Sequence, residues 1–96
     1  MGFFSSVKYS TVEHYLTEHD VKRVITYIKI PTLASHPERD RLIQDAILGR
    51  RRGDGKISLQ QIYDVLTSLK NANQITKYDR AEVMKEMKLF YEQKDA

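Results

Sequence analysis

The chain of 96 residues is short enough to form one domain, and its 41% hydrophobic and 30% charged residues are typical of a soluble globular protein. Sixteen basic and 13 acidic residues give a net charge of +3, which is weaker than expected for a dedicated non-specific DNA binder. The absence of cysteine excludes a disulfide framework and a thiolate zinc site, and we expect a cytoplasmic location. The sequence contains no apolar run of membrane-spanning length.

Residues 1–9 are expected to form a flexible N-terminal tail. The start of the chain fits the loose myristoylation pattern Met-Gly-x-x-x-Ser through Gly2 and Ser6. The aromatic Phe3 directly after the glycine disfavours that modification. The alternative is a tail whose Phe3 and Phe4 lie against the core or against a partner. We expect residues 10–93 to form a single helical domain and residues 94–96 to form a short polar tail.

Four capping boxes of the form Ser/Thr-x-x-Asp/Glu mark the starts of helices. They begin at Ser10, Thr17, Ser35 and Thr76, and apolar residues recur at helical spacing after each of them. Ser58 is placed to cap a further helix. The pattern predicts an all-α fold of four to five short helices.

The connections between these helices carry the expected stop signals. Gly49 is placed to end the third predicted helix in a left-handed cap, and residues 71–73 break the helix that follows Ser58. Ile57 and Ile75 each precede a small hydroxyl residue that caps a helix. The sequence therefore predicts at most a minimal two-stranded bridge, between Ile57 and Ile75.

Residues 42–69 read as a helix, a glycine-containing loop and a second helix. Residues 50–61 match part of the calcium-loop pattern D-x-[DN]-x-[DN]-G-x5-E, with Gly55 at the sixth position and Ile57 at the eighth. The sixth position must make a sharp turn, and the eighth is apolar. This stretch resembles an EF-hand helix–loop–helix, which implies an orthogonal or EF-hand-like bundle.

The first half of this loop departs from the EF-hand pattern. Arg50 and Arg52 stand at the first and third ligand positions, and Gln61 stands at the twelfth, so Asp54 is the one carboxylate left among the ligands. Calcium takes about six to eight oxygen ligands, several of them carboxylates. We therefore expect a degenerate loop without useful calcium affinity, and we expect no cofactor.

The densest positive charge in the sequence consists of Arg50, Arg51 and Arg52 together with Lys56. These side chains are candidates for binding phosphate, an acidic peptide or nucleic acid. The alternative is a solvated helix C-terminus, where the helix dipole favours cations.

The last predicted helix carries an apolar stripe of Met84, Met87, Phe90 and Tyr91. At this helical spacing the stripe is either part of the core or an apolar groove for a partner, because methionine adapts to varied surfaces.

Metal and catalytic motifs are absent from the sequence. His14, His19 and His36 do not have ligand spacing, and there is no HExxH motif, nucleophile elbow or phosphate-cradling glycine loop. We therefore expect a protein that is neither an enzyme nor a metal-binding protein.

Two functions remain. The first is a small non-catalytic protein-interaction or regulatory module with a calcium-independent EF-hand-like fold. The alternative is a small nucleic-acid-binding protein with a helix-turn-helix variant and a basic loop. The alternative is suggested by two groups of side chains on neighbouring predicted helices, Gln60, Gln61 and Tyr63 on one and Lys77, Tyr78 and Arg80 on the next. The connection from residue 69 to residue 76 is longer than the usual three- or four-residue turn of that motif.

Overall fold

The computed structural model describes residues 8–27 and 37–95, which form four helices and two short strands. In chain order these are β1 (Glu13–Tyr15), α1 (Glu18–Tyr27), α2 (Pro37–Arg50), β2 (Lys56–Ser58), α3 (Leu59–Asn71) and α4 (Lys77–Asp95). The expectation of an all-α fold with a minimal two-stranded sheet is confirmed. Within the two described ranges, none of the helices combines the length and the apolar character that crossing a bilayer requires.

The small sheet pairs β1 with β2 in antiparallel register, with His14 opposite Ile57. The predicted pairing of Ile57 with Ile75 is therefore wrong, although Ile75 is buried. The predicted helix start at Ser10 is also wrong, because the segment after it forms β1. The Ser10 hydroxyl accepts a hydrogen bond from the Val12 N–H at 3.1 Å. Pairing with β2 provides the main-chain partners that a helical turn would otherwise have supplied.

Three of the predicted caps form in the structure. In each, the hydroxyl accepts from the main-chain N–H three residues later, and the side chain of that later residue accepts from the N–H of the capping residue. The pairs are Thr17 with Asp20, Ser58 with Gln61, and Thr76 with Asp79. The predicted box at Ser35 lies outside the described residues.

Left-handed backbone occurs at Gly55, with φ of 87°, and at Asn73, with φ of 60°. The predicted left-handed cap at Gly49 is wrong, because α2 continues through it to Arg50. A left-handed residue does follow α3, where Asn73 stands two positions after the last helical residue. Its N–H donates to the Lys70 carbonyl at 3.0 Å, and the next N–H donates to the Leu69 carbonyl at 2.9 Å. This pair of bonds is a Schellman motif, in which asparagine tolerates the left-handed conformation.

The core lies between the four helices and one face of β2. The buried hydrophobic residues are Leu16, Val21, Val24, Ile25, Ile43, Ile47, Ile57, Leu59, Ile62, Leu66, Ile75, Val83, Met84, Met87 and Tyr91. Each helix contributes to this set, so packing compensates for the modest helix propensity of the β-branched residues in α1.

Both predicted tails overlap residues that are part of the fold. The N–H groups of Lys8 and Tyr9 donate to Oε1 of Gln60 at 2.8 and 2.9 Å, so the chain is tied to α3 from residue 8 onward. At the other end, α4 continues to Asp95.

Candidate functional site

Residues 50–56, which we call the basic loop, form a tight turn between α2 and β2. The N–H of Gly55 donates to the Arg52 carbonyl at 2.8 Å, and the Arg52 N–H donates to the Lys56 carbonyl at 2.9 Å. Asp54 Oδ1 accepts from the Lys56 N–H at 3.1 Å. The positive φ of Gly55 permits this turn, since a side chain there would be strained. The one carboxylate of the loop thus stabilises its main chain.

The guanidinium of Arg51 connects the basic loop to the segment after β1. Its Nη1 donates to the Leu16 carbonyl at 2.8 Å, and its Nε donates to the Leu48 carbonyl at 3.2 Å. The Leu16 N–H in turn donates to the Gly55 carbonyl at 3.1 Å. Arg51 is half-buried. The positive charge of Arg51 therefore binds two main-chain oxygens, one near the end of α2 and one just after β1.

Two other cations of the basic loop contact β1. Arg52 Nη1 lies 2.8 Å from Oε1 of Glu13, and the Lys56 ammonium lies 4.9 Å from the centre of the Tyr15 ring. The Arg52 side chain is 59% exposed, so this ion pair contributes modestly to stability. Arg50 is exposed at the end of α2. Of the four cations predicted to bind a partner or phosphate, three make intramolecular contacts.

The predicted apolar groove is largely closed by the fold. Met84, Met87 and Tyr91 are buried in the core, and Phe90 is the one member of the set that is half-buried. The Tyr91 hydroxyl donates to the Ile57 carbonyl at 2.8 Å. Burial is the main cause of the raised pKa of this phenol, and the negative charge of Asp20 raises the pKa further. The correction follows from helix packing, because α4 turns this face toward α1 and α3.

An accessible apolar surface remains on the face of α4 that carries Leu89. Leu89 is 47% exposed there, and together with Phe90 it contributes to a shallow cavity of about 240 Å³ between α4 and α1. The cavity is lined by Arg23, Val24, Glu86, Leu89, Phe90 and Gln93. Leu89 was not part of the predicted groove. Its neighbours at helical spacing are all polar, and three of them, Lys85, Glu86 and Glu92, are charged, so the sequence pattern assigned it no role.

A second cationic cluster lies where the N-terminal segment meets α3 and α4. The Lys8 ammonium lies 5.6 Å from the centre of the Tyr63 ring, and the Arg80 guanidinium lies 5.0 Å from it. The Tyr9 ring contacts the same ring, with centres 5.2 Å apart. Arg80 Nη1 also donates to the Thr67 hydroxyl at 3.1 Å. We call Lys8, Tyr63 and Arg80 the Tyr63 face.

The phenol of Tyr63 has a shifted acidity. Burial alone would raise its pKa, but the hydrogen bond with Lys8, the charges of Arg80 and Lys8, and the contact with Thr67 together lower it below the ordinary value. No carboxylate contributes to this shift. Tyr63 and Arg80 belong to the two groups of side chains that suggest the helix-turn-helix alternative. Lys8 is more than fifty positions earlier in the chain than Tyr63, so no local pattern connects it with them.

Two glutamines of the helix-turn-helix interpretation make intramolecular hydrogen bonds. Gln60 is buried, and it binds the N–H groups of Lys8 and Tyr9. Gln61 forms the capping box with Ser58 at the start of α3. These side-chain amides are therefore engaged within the fold and are not directed outward toward base edges.

The most deeply buried charge in the described residues is Asp79, which lies 3.1 Å from Nη1 of Arg39. The pKa of the neighbouring Asp40 is raised, mainly by burial. The positive charge of Arg39 acts in the opposite direction, and the negative charge of Asp79 adds to the effect of burial. These groups join the starts of α2 and α4. Among the described residues, no three His, Cys, Asp or Glu side chains are grouped as metal ligands.

Comparison of the chain with family models, with curated protein sequences and with solved structures gives no match. The geometry of the described residues is therefore the basis for assigning a function.

Proposed function

We propose that this chain is a small, non-catalytic protein-interaction module with an EF-hand-like helix–loop–helix that works without calcium. In this proposal α2, the basic loop, β2 and α3 form the helix–loop–helix, and β1 stands where a partner loop would pair. We also propose a cytoplasmic location, for which the composition is the only support.

The observation that carries the proposal is the position of Arg51. In a calcium loop, the ion holds the main chain in one conformation by binding several oxygens. Here the Arg51 guanidinium bonds the carbonyls of Leu16 and Leu48. Because arginine stays protonated at all physiological pH values, this contact does not depend on pH. The loop then holds one conformation at any calcium concentration, which suits a constitutive module better than a sensor.

The non-catalytic part of the proposal rests on the roles of the titratable groups. Among the described residues, burial raises the pKa of Tyr91 and of Asp40, and Asp79 is fully buried. Each of these groups lies at a junction between elements of the fold. Tyr91 also lines a cavity of about 430 Å³ with Ser10, His14 and Glu92, but its hydroxyl donates to the Ile57 carbonyl. Shifted pKa values at such junctions are typical of structural contacts as well as of active sites.

The test of calcium independence is a calcium titration of isotope-labelled protein, followed through amide chemical shifts. We expect the signals of Gly55 and Ile57 to stay in place through millimolar calcium. The matched variant Arg51→Gln/Arg52→Asp removes the guanidinium and restores a carboxylate at the third ligand position. Saturable shifts in the wild-type protein at these amides would refute the proposal.

The test of the interaction role is a quantitative capture experiment from the native host, performed with calcium, with a chelator, and after nuclease treatment. We expect one set of protein partners to be retained equally in all three conditions. Loss of capture in chelator would make the module a sensor. Loss after nuclease treatment, together with a steep salt dependence of duplex DNA affinity, would favour the nucleic-acid-binding alternative.

A further inference from the structure

The Tyr63 face presents two cations that are not compensated by acidic groups. The ion pairs formed among the described residues are Arg39 with Asp79 and Arg52 with Glu13. Lys8 and Arg80 take part in neither. Asp64, which follows Tyr63 in the sequence, accepts a hydrogen bond from Nε2 of Gln60, and Asp79, which precedes Arg80, pairs with Arg39. Two positive charges therefore converge on one phenol, and neither has an ion pair among the described residues.

The two cations are held in place by the fold. The main-chain N–H of Lys8 donates to the buried Gln60 at 2.8 Å, which fixes the backbone from which its side chain extends. Arg80 is half-buried and is oriented by its bond to Thr67. The backbone of Lys8 and the side chain of Arg80 are therefore ordered before an anion binds, and such preorganisation favours affinity.

We propose that Lys8, Tyr63 and Arg80 form a recognition site for a phosphorylated side chain of a protein partner. This inference rests on the proposed function and specifies the chemistry of the partner. A phosphorylated side chain carries a charge of about −1.5 to −2 at neutral pH and three acceptor oxygens, which matches two cations and a phenol donor. Arg80 keeps further N–H donors besides the one that binds Thr67.

The same geometry disfavours two other anionic ligands. A carboxylate carries one negative charge and would leave one of the two cations uncompensated. Single-stranded nucleic acid requires open aromatic faces for its bases. The Tyr63 ring is covered by Lys8 and Arg80 and contacts Tyr9, so no open stacking surface is available there.

The lowered pKa of the Tyr63 phenol supports the charge argument independently of any ligand. The cations around it stabilise negative charge at this point of the surface, even though burial acts in the opposite direction. A phosphate oxygen bound beside the phenol would gain from the same cations.

The experiment is a titration of the isotope-labelled, full-length chain with N-acetyl-phosphoserine amide, monitored at the Tyr63 and Arg80 side-chain signals. Inorganic phosphate, N-acetyl-aspartate amide and a short oligothymidine are titrated in parallel. We expect saturable shifts with the phosphoserine probe, weaker ones with aspartate, and no upfield ring-current shifts with the oligonucleotide. Equal binding of aspartate, shifts spread over the whole surface, or base stacking on the tyrosines would each overturn the proposal.

Matched variants separate the site from general electrostatics. Lys8→Gln/Arg80→Gln should weaken binding of the phosphoserine probe by about tenfold, whereas Arg41→Gln/Lys94→Gln, with the same net charge, should leave it unchanged. Arg41 is exposed, and Lys94 lies over the Phe90 ring at 5.1 Å, away from the Tyr63 face. An equal loss in both double variants would overturn the site.

Tyr63→Phe provides a second variant that keeps the ring and both cations, and its folding is checked by the dispersion of the amide spectrum. We expect about fivefold weaker binding from the loss of one hydrogen bond. Unaltered affinity would remove the phenol from the site. The probe is a small phosphate ester, so failure here leaves the calcium-independent capture of protein partners as a separate question.

Discussion

The basic loop and the Tyr63 face both concentrate positive charge, but they use it in opposite ways. In the basic loop, Arg51 binds main-chain carbonyls and Arg52 binds Glu13, so the charge joins β1 to β2 and α2. In the Tyr63 face, Lys8 and Arg80 surround a phenol with no carboxylate contributing. Arg51 and its two carbonyl acceptors form a structural clamp, whereas the two cations of the Tyr63 face have no ion pair among the described residues.

The difference shows that charge density along a sequence is a poor measure of the charge that a surface offers. Three adjacent arginines attract attention in a sequence, yet folding directs two of them toward acceptors in the same chain. The Tyr63 face is assembled from the N-terminal segment, α3 and α4, so it has no local signature. What decides availability is whether a partner for the cation already lies within the fold.

The largest expected effect comes from removing the clamp. Arg51→Met keeps the aliphatic stem but leaves the Leu16 carbonyl without its charged donor. We expect a loss of about 2 kcal/mol in the free energy of unfolding, measured by urea denaturation. The exposed Arg50→Met is the matched control and should change stability by less than about 0.5 kcal/mol. Equal effects of the two variants would remove the distinction within the triplet.

The next largest loss of stability is expected for Tyr91, whose hydroxyl joins α4 to β2. Tyr91→Phe removes the bond to the Ile57 carbonyl and should cost about 1 kcal/mol at neutral pH. The pKa of Tyr91 is raised in the folded chain. Above the unfolded value of about 10, the unfolded chain loses the proton while the folded chain keeps it, so this contribution to stability falls as pH rises.

Urea denaturation between about pH 9 and pH 11 measures this dependence of stability on pH, because the interval includes the ordinary tyrosine pKa of about 10. The wild-type protein should lose stability more steeply than Tyr91→Phe across that interval. Parallel slopes would show that the phenol titrates freely and is not held by the core.

A smaller effect is expected for the exposed ion pair of the basic loop. A double-mutant cycle of Glu13→Gln and Arg52→Gln should give a small coupling energy at low salt and a smaller one at high salt, because the pair is accessible to screening ions. A coupling energy as large as the loss in the free energy of unfolding of Arg51→Met would show that the pair of Arg52 and Glu13 contributes as much to stability as the clamp.

The smallest change in stability is expected on the Tyr63 face. Lys8→Gln should alter the free energy of unfolding by no more than about 0.5 kcal/mol, because Lys8 is exposed and has no ion pair among the described residues. The pKa of Tyr63 should nevertheless rise, because its hydrogen bond with Lys8 helps to lower it. Spectroscopic titration of the tyrosines measures this shift, and Lys94→Gln should leave it unchanged.

Local rules were sufficient to predict a large part of the fold. The spacing of hydroxyl and acidic residues predicts the capping boxes at Thr17 and Thr76, because each bond pair spans three residues. Ser58 is predicted as a cap, and the structure shows that Gln61 completes a capping box there. Contacts distant in sequence were not predictable in this way. His14 lies opposite Ile57 in the sheet although the two residues are far apart in the sequence, and the spacing of hydroxyl residues that suggested Ile75 carries no information about that pairing.

The candidate site shows the same division. Arg51, Arg52 and Lys56 were identified as a group, but their acceptors lie in a segment that was expected to be helical. Met84 and Met87 were recognised as one apolar stripe, but the stripe alone does not determine which helix covers it. The Tyr63 face required three segments to be placed together, and no periodicity relates them.

The contact of Arg51 with the Leu16 carbonyl spans 35 residues, and that of Tyr91 with the Ile57 carbonyl spans 34. Closing chain segments of this length costs conformational entropy before any contact compensates for it. The pairing of β1 with β2 is therefore expected to form after the helical hairpin of α3 and α4 during folding. Substitutions that weaken it should accelerate unfolding and leave the folding rate nearly unchanged. The clamp thus determines how long the folded chain persists once formed.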